Sequence, residues 1–247
     1  MRLTYIKLFL IATLVTGLAC SKQQDFPGTA ALTLVNAVPN STPSLVTNFS
    51  GTDPITYSTA LKLVYGVVDK TNQSLAYTGE QQLAIYRYPD TTAHSTPLYN
   101  LALDLTPGTI YTLFLTGTLT SPDTMFTIDT PPFHPISDST LGIRFVNLSS
   151  GGVPVSVNIA GRANGSEVSG LSYKNITEFT KYSATAAVSK YTFEFRNAAT
   201  GVLISSFDVA DINLPLYNKR RYRNFTLALI GLPGDQKVIM IESNPYA

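Results

Sequence analysis

Apolar positions along this chain recur with a period of two. Leu101, Leu103 and Leu105 alternate with other residues up to Pro107-Gly108, and Tyr111, Leu113 and Leu115 alternate beyond it. That pattern predicts two strands joined by a turn, each with one buried face. Val155, Val157 and Ile159 repeat the alternation, then Tyr191, Phe193 and Phe195, then Val238 and Met240. Turn signals (Pro-Asn, Pro-Gly, Ser-Ser-Gly-Gly, Ala-Thr-Gly, Pro-Gly-Asp) separate these runs at intervals suited to a sandwich. Long helical periodicity is absent, and Ala184 to Val188 has room for one helical turn at most.

The strand runs also repeat. Leu32-Thr33-Leu34-Val35-Asn36 returns as Ile143-Arg144-Phe145-Val146-Asn147, and Leu83-Ala84-Ile85-Tyr86-Arg87 as Thr192-Phe193-Glu194-Phe195-Arg196. Tyr111-Thr112-Leu113-Phe114-Leu115-Thr116-Gly117 returns as Phe225-Thr226-Leu227-Ala228-Leu229-Ile230-Gly231. The offsets of 111, 109 and 114 residues keep their order along the chain, the mark of a tandem duplication. Between the copies, Pro131, Pro132 and Pro135 exclude a central strand, and residues 129–139 read as a stiff extended connector. Each copy of ~100 residues is long enough to bury its own core. The expectation is therefore all-β: two tandem immunoglobulin-like antiparallel β-sandwiches of about seven strands each, over residues 30–128 and 140–247. No Cys-Trp-Cys trio marks either as an antibody-type domain.

Arg2 and Lys7 precede a nearly unbroken apolar run from Leu8 to Leu18, followed by Gly17-Leu18-Ala19-Cys20. The run is too short to span a bilayer, which takes about 20 apolar residues, and has the length of a secretory signal core. Cys20 is the single cysteine of the chain. The segment resembles a bacterial lipoprotein signal: residues 1–19 are removed, Cys20 is acylated, and residues 20–29 form a polar tether. Leu18 stands one place later than the usual pattern has it. Diacylglycerol with an N-acyl chain supplies more than the two signals that stable attachment needs. The expected location is the bacterial cell envelope, on the outer membrane, anchored rather than spanning.

Composition narrows the chemistry. With 17 Lys+Arg against 16 Asp+Glu, the net charge of +1 excludes a globally basic nucleic-acid binder. One Cys and two His leave no common structural zinc set, and no cofactor or metal is expected. Only 13% of residues are charged, while 31 Thr, 21 Ser and 14 Asn provide a neutral polar coat that favours strands and turns over exposed helices.

The duplicated motifs resemble the bacterial envelope family catalogued as domain of unknown function 4397. The likeness rests on a hydrophobic-Val-Asn step (Val146-Asn147), a Pro loop with a Val-rich strand (Pro154, Val155-Ser156-Val157-Asn158), and a closing strand ending in Gly (Tyr111 to Gly117, Phe225 to Gly231). It covers roughly residues 30–128 and 140–245. At the family's Pro-Ala-Gly-x-Tyr turn the chain reads Tyr77-Thr78-Gly79-Glu80 and Ala187-Val188-Ser189-Lys190-Tyr191, so the first copy departs more. The resemblance implies a lipoprotein of the Bacteroidetes envelope and no particular activity.

Candidate chemistry is sparse. His94 lies in a turn and His134 in the connector, both read as exposed loop histidines, and no Gly-x-Ser-x-Gly elbow accompanies them. The carboxylates lie scattered near turns, so a glycan hydrolase with an unrecognised acidic pair is a remote alternative. Gly161-Arg162-Ala163-Asn164-Gly165-Ser166 lacks the phosphate-loop spacing. Lys219, Arg220, Arg221 and Arg223 form the strongest charge cluster; they offer a grip for a polyanion, but the favoured reading is a strand rim guarded against edge pairing. Tyr86 and Tyr88 share a face, with Tyr99 near, and could stack on a sugar, although tyrosine is an ordinary strand residue. Asn-x-Ser/Thr occurs at Asn40, Asn48, Asn72, Asn147, Asn164, Asn175 and Asn224. The expected function is a non-enzymatic surface or periplasmic lipoprotein whose two modules bind a glycan or protein ligand. The alternative is a structural accessory of an envelope complex, with edge strands offering pairing sites.

Overall fold

Alternating apolar residues place strands where the sequence predicts them, and the computed structural model describes residues 28–49, 60–92, 94–214 and 219–243. The first copy contains β1 (Thr29–Asn36), β2 (Leu45–Asn48), β3 (Lys62–Leu63), β4 (Gln73–Tyr77), β5 (Gly79–Arg87), β6 (Tyr99–Leu105), β7 (Ile110–Gly117) and β8 (Pro122–Asp129). The second contains β9 (Thr140–Asn147), β10 (Val155–Ile159), β11 (Val168–Leu171), β12 (Thr180–Ser183), β13 (Tyr191–Asn197), β14 (Leu203–Val209), β15 (Asn224–Ile230) and β16 (Lys237–Glu242). The described residues thus form two tandem β-sandwiches with eight strands each, against the seven or so expected. Their sheets run β3-β2-β5-β6 and β4-β1-β7-β8, then β11-β10-β13-β14 and β12-β9-β15-β16. Adding eight to each strand of the first sandwich reproduces the second, so the duplication extends to topology. Pairing is antiparallel except for β1 with β7 and β9 with β15.

The match of Leu83–Arg87 to Thr192–Arg196 needs a shift of one residue. Leu83 and Ile85 of β5 lie in the first core, and Phe193 and Phe195 of β13 lie in the second, which makes the structural offset 110. A slip of one would turn each core residue to the opposite face.

Among the described residues, three apolar clusters fill three spaces between sheets. Leu32, Leu34, Leu83, Leu113 and their neighbours fill the first sandwich, and Phe145, Phe193, Phe195, Phe225 and theirs fill the second. The third lies between the sandwiches: Val35, Ala37 and Phe114 meet Val146, Leu148, Ala228, Ile230, Ile239 and Ile241. Sheets β4-β1-β7-β8 and β12-β9-β15-β16 therefore pack face to face, giving four layers. This corrects the expectation of one buried face on the β7 run. Leu113 and Leu115 face the first core while Phe114, between them, is fully buried on the other side.

Equivalent strands of the two copies supply this interface, as in a two-fold dimer in which patch i meets patch j and j meets i. Tyr65, after β3, lies under Lys237 at the start of β16 (4.6 Å). Its counterpart Tyr173, after β11, donates to Asp123 at the start of β8 (3.2 Å). Thr116 Oγ1 donates to Leu148 O (3.0 Å) and Gln73 Nε2 to Glu242 O (2.7 Å), tying the sandwiches further.

The repeated Asn has a structural duty. Asn36 Nδ2 donates to Leu63 O (2.9 Å) while its Oδ1 accepts from Val38 N–H (3.0 Å). Asn147 does the same with Leu171 O and Ser149 N–H, each at 3.0 Å. Both are fully buried and clamp the end of one sheet to the end of the facing sheet. Gly117 and Gly231 close the matching strands in the left-handed region (φ 78° and 99°), where a Cβ would overlap the Ser121 and Asp235 carbonyl oxygens.

Candidate functional site

The connector leaves β8 at Asp129, which pairs with Ile110 at the start of β7, beside the start of β1. It then docks on the second sandwich. His134 is buried, with 6% of its surface exposed, which corrects its reading as a solvent-facing loop histidine. Asn224, the first residue of β15, donates its Nδ2 to Pro132 O (3.0 Å) and so turns Oδ1 toward the imidazole. His134 Nε2–H donates to that oxygen (2.9 Å), and Nδ1 shares a hydrogen bond with Thr140 Oγ1 (2.8 Å), so both ring nitrogens have partners. Gly142, the β9 partner of Asn224, leaves the space the latch needs; a Cβ there would collide with the Asn224 carboxamide. His94 is exposed in its turn, as expected.

The cluster at residues 219–223 borders this latch. Tyr222 N–H donates to Thr140 O (2.8 Å) and its hydroxyl to Ile136 O (2.8 Å), holding the cluster against the connector. Each cation has a protein contact. Lys219 lies 4.0 Å from Asp211, and Arg223 Nη1 bonds Glu242 Oε1 at 2.6 Å. Arg220 donates to Ala210 O (3.2 Å) and stacks over Phe225 (5.3 Å), and partial burial holds its guanidinium below the ordinary value. Arg221 donates to Ala184 O (2.8 Å). Together they form a braced rim with outward-facing charge, since about half of the Lys219 and Arg223 side-chain surface stays exposed.

The tyrosines do not assemble into a platform. Tyr86 is buried at 6% exposure and offers no ring face to a ligand. Tyr88 carries Lys62 Nζ over its ring at 5.0 Å. Tyr99 belongs to the first core and donates to Thr116 O (2.8 Å), and burial pushes its hydroxyl well above the usual phenol value. Among the Asn-x-Ser/Thr sites, Asn48, Asn72 and Asn147 are buried and closed to modification.

The most buried ion pair among the described residues had no motif to mark it in the sequence. Arg144 on β9 and Asp129 at the end of β8 meet between the sandwiches at 2.8 Å, each 5% exposed. Asp129 also accepts from Thr112 (2.6 Å) and Thr127 (3.0 Å); Arg144 donates to Thr226 (2.8 Å) and lies over Phe179 (4.6 Å). The one available signal was a mismatch between the repeats: Arg144 stands where the first copy has Thr33 inside an apolar strand.

Residues 1–27, which include the signal segment, Cys20 and most of the tether, lie outside the described residues; Thr29, expected as the last residue of the tether, already belongs to β1. Among the described residues no three His, Cys, Asp or Glu side chains gather as metal ligands, and no helix is long and apolar enough to cross a membrane. Compared with protein-family models and with curated proteins, the chain matches none.

Proposed function

We propose that the chain is a non-enzymatic cell-envelope lipoprotein of the kind its motifs resemble, domain of unknown function 4397, acylated at Cys20 and presenting two fused β-sandwiches as a rigid binding scaffold. The observation that carries this is the middle apolar cluster. It locks the two copies into a single four-layer body, so that turns from both sandwiches hold fixed positions relative to one another. Rigid scaffolds with loops at their ends are where binding residues normally sit. The expected partner is a glycan or a protein of the envelope. Protease shaving of intact cells tests the reading, with Cys20→Ala as the control. Loss of the protein from intact cells places the scaffold outward, while cutting only after lysis removes surface adhesion. A soluble Cys20→Ala product together with acyl labelling that depends on Cys20 supports the anchor, and labelling that survives the substitution refutes it.

A second reading, an accessory of an envelope assembly, has an observation of its own. β8 is an edge strand whose Phe126 and Ile128 turn their backbone N–H and C=O away from β7, with their side chains 39% and 64% exposed. In the second sandwich β14 leans against β16, and Met240 at the equivalent place packs on the core; β6 makes no comparable approach to β8. An open apolar edge of this kind accepts an added strand. Co-purification of envelope proteins that is lost with Phe126→Lys would favour this reading.

A further inference from the structure

Sequence and topology bring three features to one end of the molecule. β1, β9 and β15 all begin there, since β1 is parallel to β7 and β9 to β15, and β8 ends there against Ile110. The connector crosses this end. His134 is buried in its latch, and the residues around it, Phe133 and Ile136, project outward with 83% and 88% of their surface exposed. They are the most exposed large apolar side chains among the described residues. The basic cluster lies beside them, joined through the Tyr222 hydroxyl to Ile136 O. Lys219 pairs with Asp211 only at 4.0 Å, Arg223 pairs with Glu242, and 61% and 47% of the two cationic side chains stay exposed, so positive charge faces outward here.

We propose that this end is a membrane-docking surface: Phe133 and Ile136 enter the acyl boundary of an anionic bilayer while Lys219, Arg220, Arg221 and Arg223 meet its headgroups. Apolar tips flanked by cations are the chemistry of interfacial binding. A protein partner would ask for a broader apolar floor than two side chains on a narrow connector, whereas a fluid bilayer receives isolated protrusions. The latch gives the insertion its rigidity, because a bound His134 fixes both neighbours at the tip. For its orientation the proposal rests on the acylation of Cys20. Eight residue steps separate Cys20 from Gly28, at most about 28 Å when extended, and β1 starts at this same end. Anchor and docking surface would then pull on the same end, and the turns at the Asn36 and Asn147 end would face away from the membrane as the binding face.

The chain contains no tryptophan, so single tryptophans report without background. The test uses the unacylated chain from Ser21, which keeps every described contact, with Phe133→Trp, Ile136→Trp or Val202→Trp. Val202 is 64% exposed on the β13–β14 turn, at the opposite end. On vesicles of mixed phosphatidylglycerol and phosphatidylcholine, emission at positions 133 and 136 should shift to shorter wavelength and be quenched by brominated acyl chains. Emission at 202 should not move. Replacing both Phe133 and Ile136 by Ser should weaken partitioning about tenfold or more, and Lys219→Gln or Arg223→Gln about fivefold each. Unchanged emission at 133 and 136, equal shifts at all three positions, or undiminished binding by the double Ser variant would each overturn the proposal. Acyl labelling of the full chain is read separately. If labelling fails while vesicle binding persists, the Cys20 reading falls and this one stands; the reverse result sinks only the docking surface.

Discussion

Phe114→Ala separates a packed four-layer body from two sandwiches joined by a tether. Phe114 lies on β7 between Leu113 and Leu115, which face the first core, and it points away from that core with no exposed surface. In a free first sandwich it would stand on the outer face, where a change of side chain is worth about 0.5 kcal/mol at most. Buried between the sandwiches, its truncation costs about 3–5 kcal/mol, for lost transfer energy plus the cavity left against Val146 and Ala228. In urea, with m about 3 kcal/mol per M, the midpoint should fall by about 1 M or more. The wild-type chain should unfold in a single transition by fluorescence and circular dichroism, because the middle cluster couples the two sandwiches. A midpoint shift below about 0.2 M would refute the four-layer packing. So would two separate wild-type transitions, neither of them moved by the substitution.

Other outcomes follow from single contacts. Asp129→Ala strands a buried guanidinium and should cost about 3–5 kcal/mol, whereas Asp129→Leu combined with Arg144→Met should come out near neutral, both read by urea unfolding. Asn147→Ala leaves Leu171 O and Ser149 N–H buried and unpaired, at about 1–3 kcal/mol for each group, and Asn36→Ala should do the same in the first sandwich. Burial, and for Tyr182 the bond to Glu167, raise the Tyr99 and Tyr182 hydroxyls in the folded state. Their stability contribution is present below the unfolded phenol value of about 10 and is lost as pH rises beyond it, so thermal midpoints should decline above pH 10 and decline less in Tyr182→Phe. Partial burial pushes the Asp123 carboxyl up, but bonds from Lys174, Thr124 N–H and Tyr173 outweigh it and leave it below the usual carboxylate range. Its contribution is present above about pH 4 and is lost as pH falls through the lowered value, a loss that Lys174→Met should reduce in acid titrations.

Local pattern carried much of the fold. The period of two placed most of the strands, the prolines excluded a strand from the connector, and the ordered matches revealed two copies of one plan. The Val-Asn step and the closing Gly were visible as motifs, although their reasons were not. The Asn clamp reaches Leu63 or Leu171, 27 and 24 residues away, and the Gly is required by a turn carbonyl whose position depends on the hairpin. Candidate chemistry was less legible. Core or cross-strand packing is the favoured reading of Tyr86 and Tyr99, and both are buried, but alternation names a strand's two faces without saying which of them meets solvent.

What the sequence by itself determined, then, is the all-β class, the duplication and the place of the join, because these depend on residues near one another in the chain or on likeness between segments. What covers the second face of β1, β7, β9 and β15 was decided only by tertiary structure. The runs Leu34-Val35 and Leu113-Phe114-Leu115 are apolar on both faces, a pattern that an isolated sandwich and a stacked one can both tolerate. The same holds for the latch, since His134 finds its oxygen on Asn224, 90 residues further along. Burial is a property of surfaces brought together, and no short window of residues contains both surfaces.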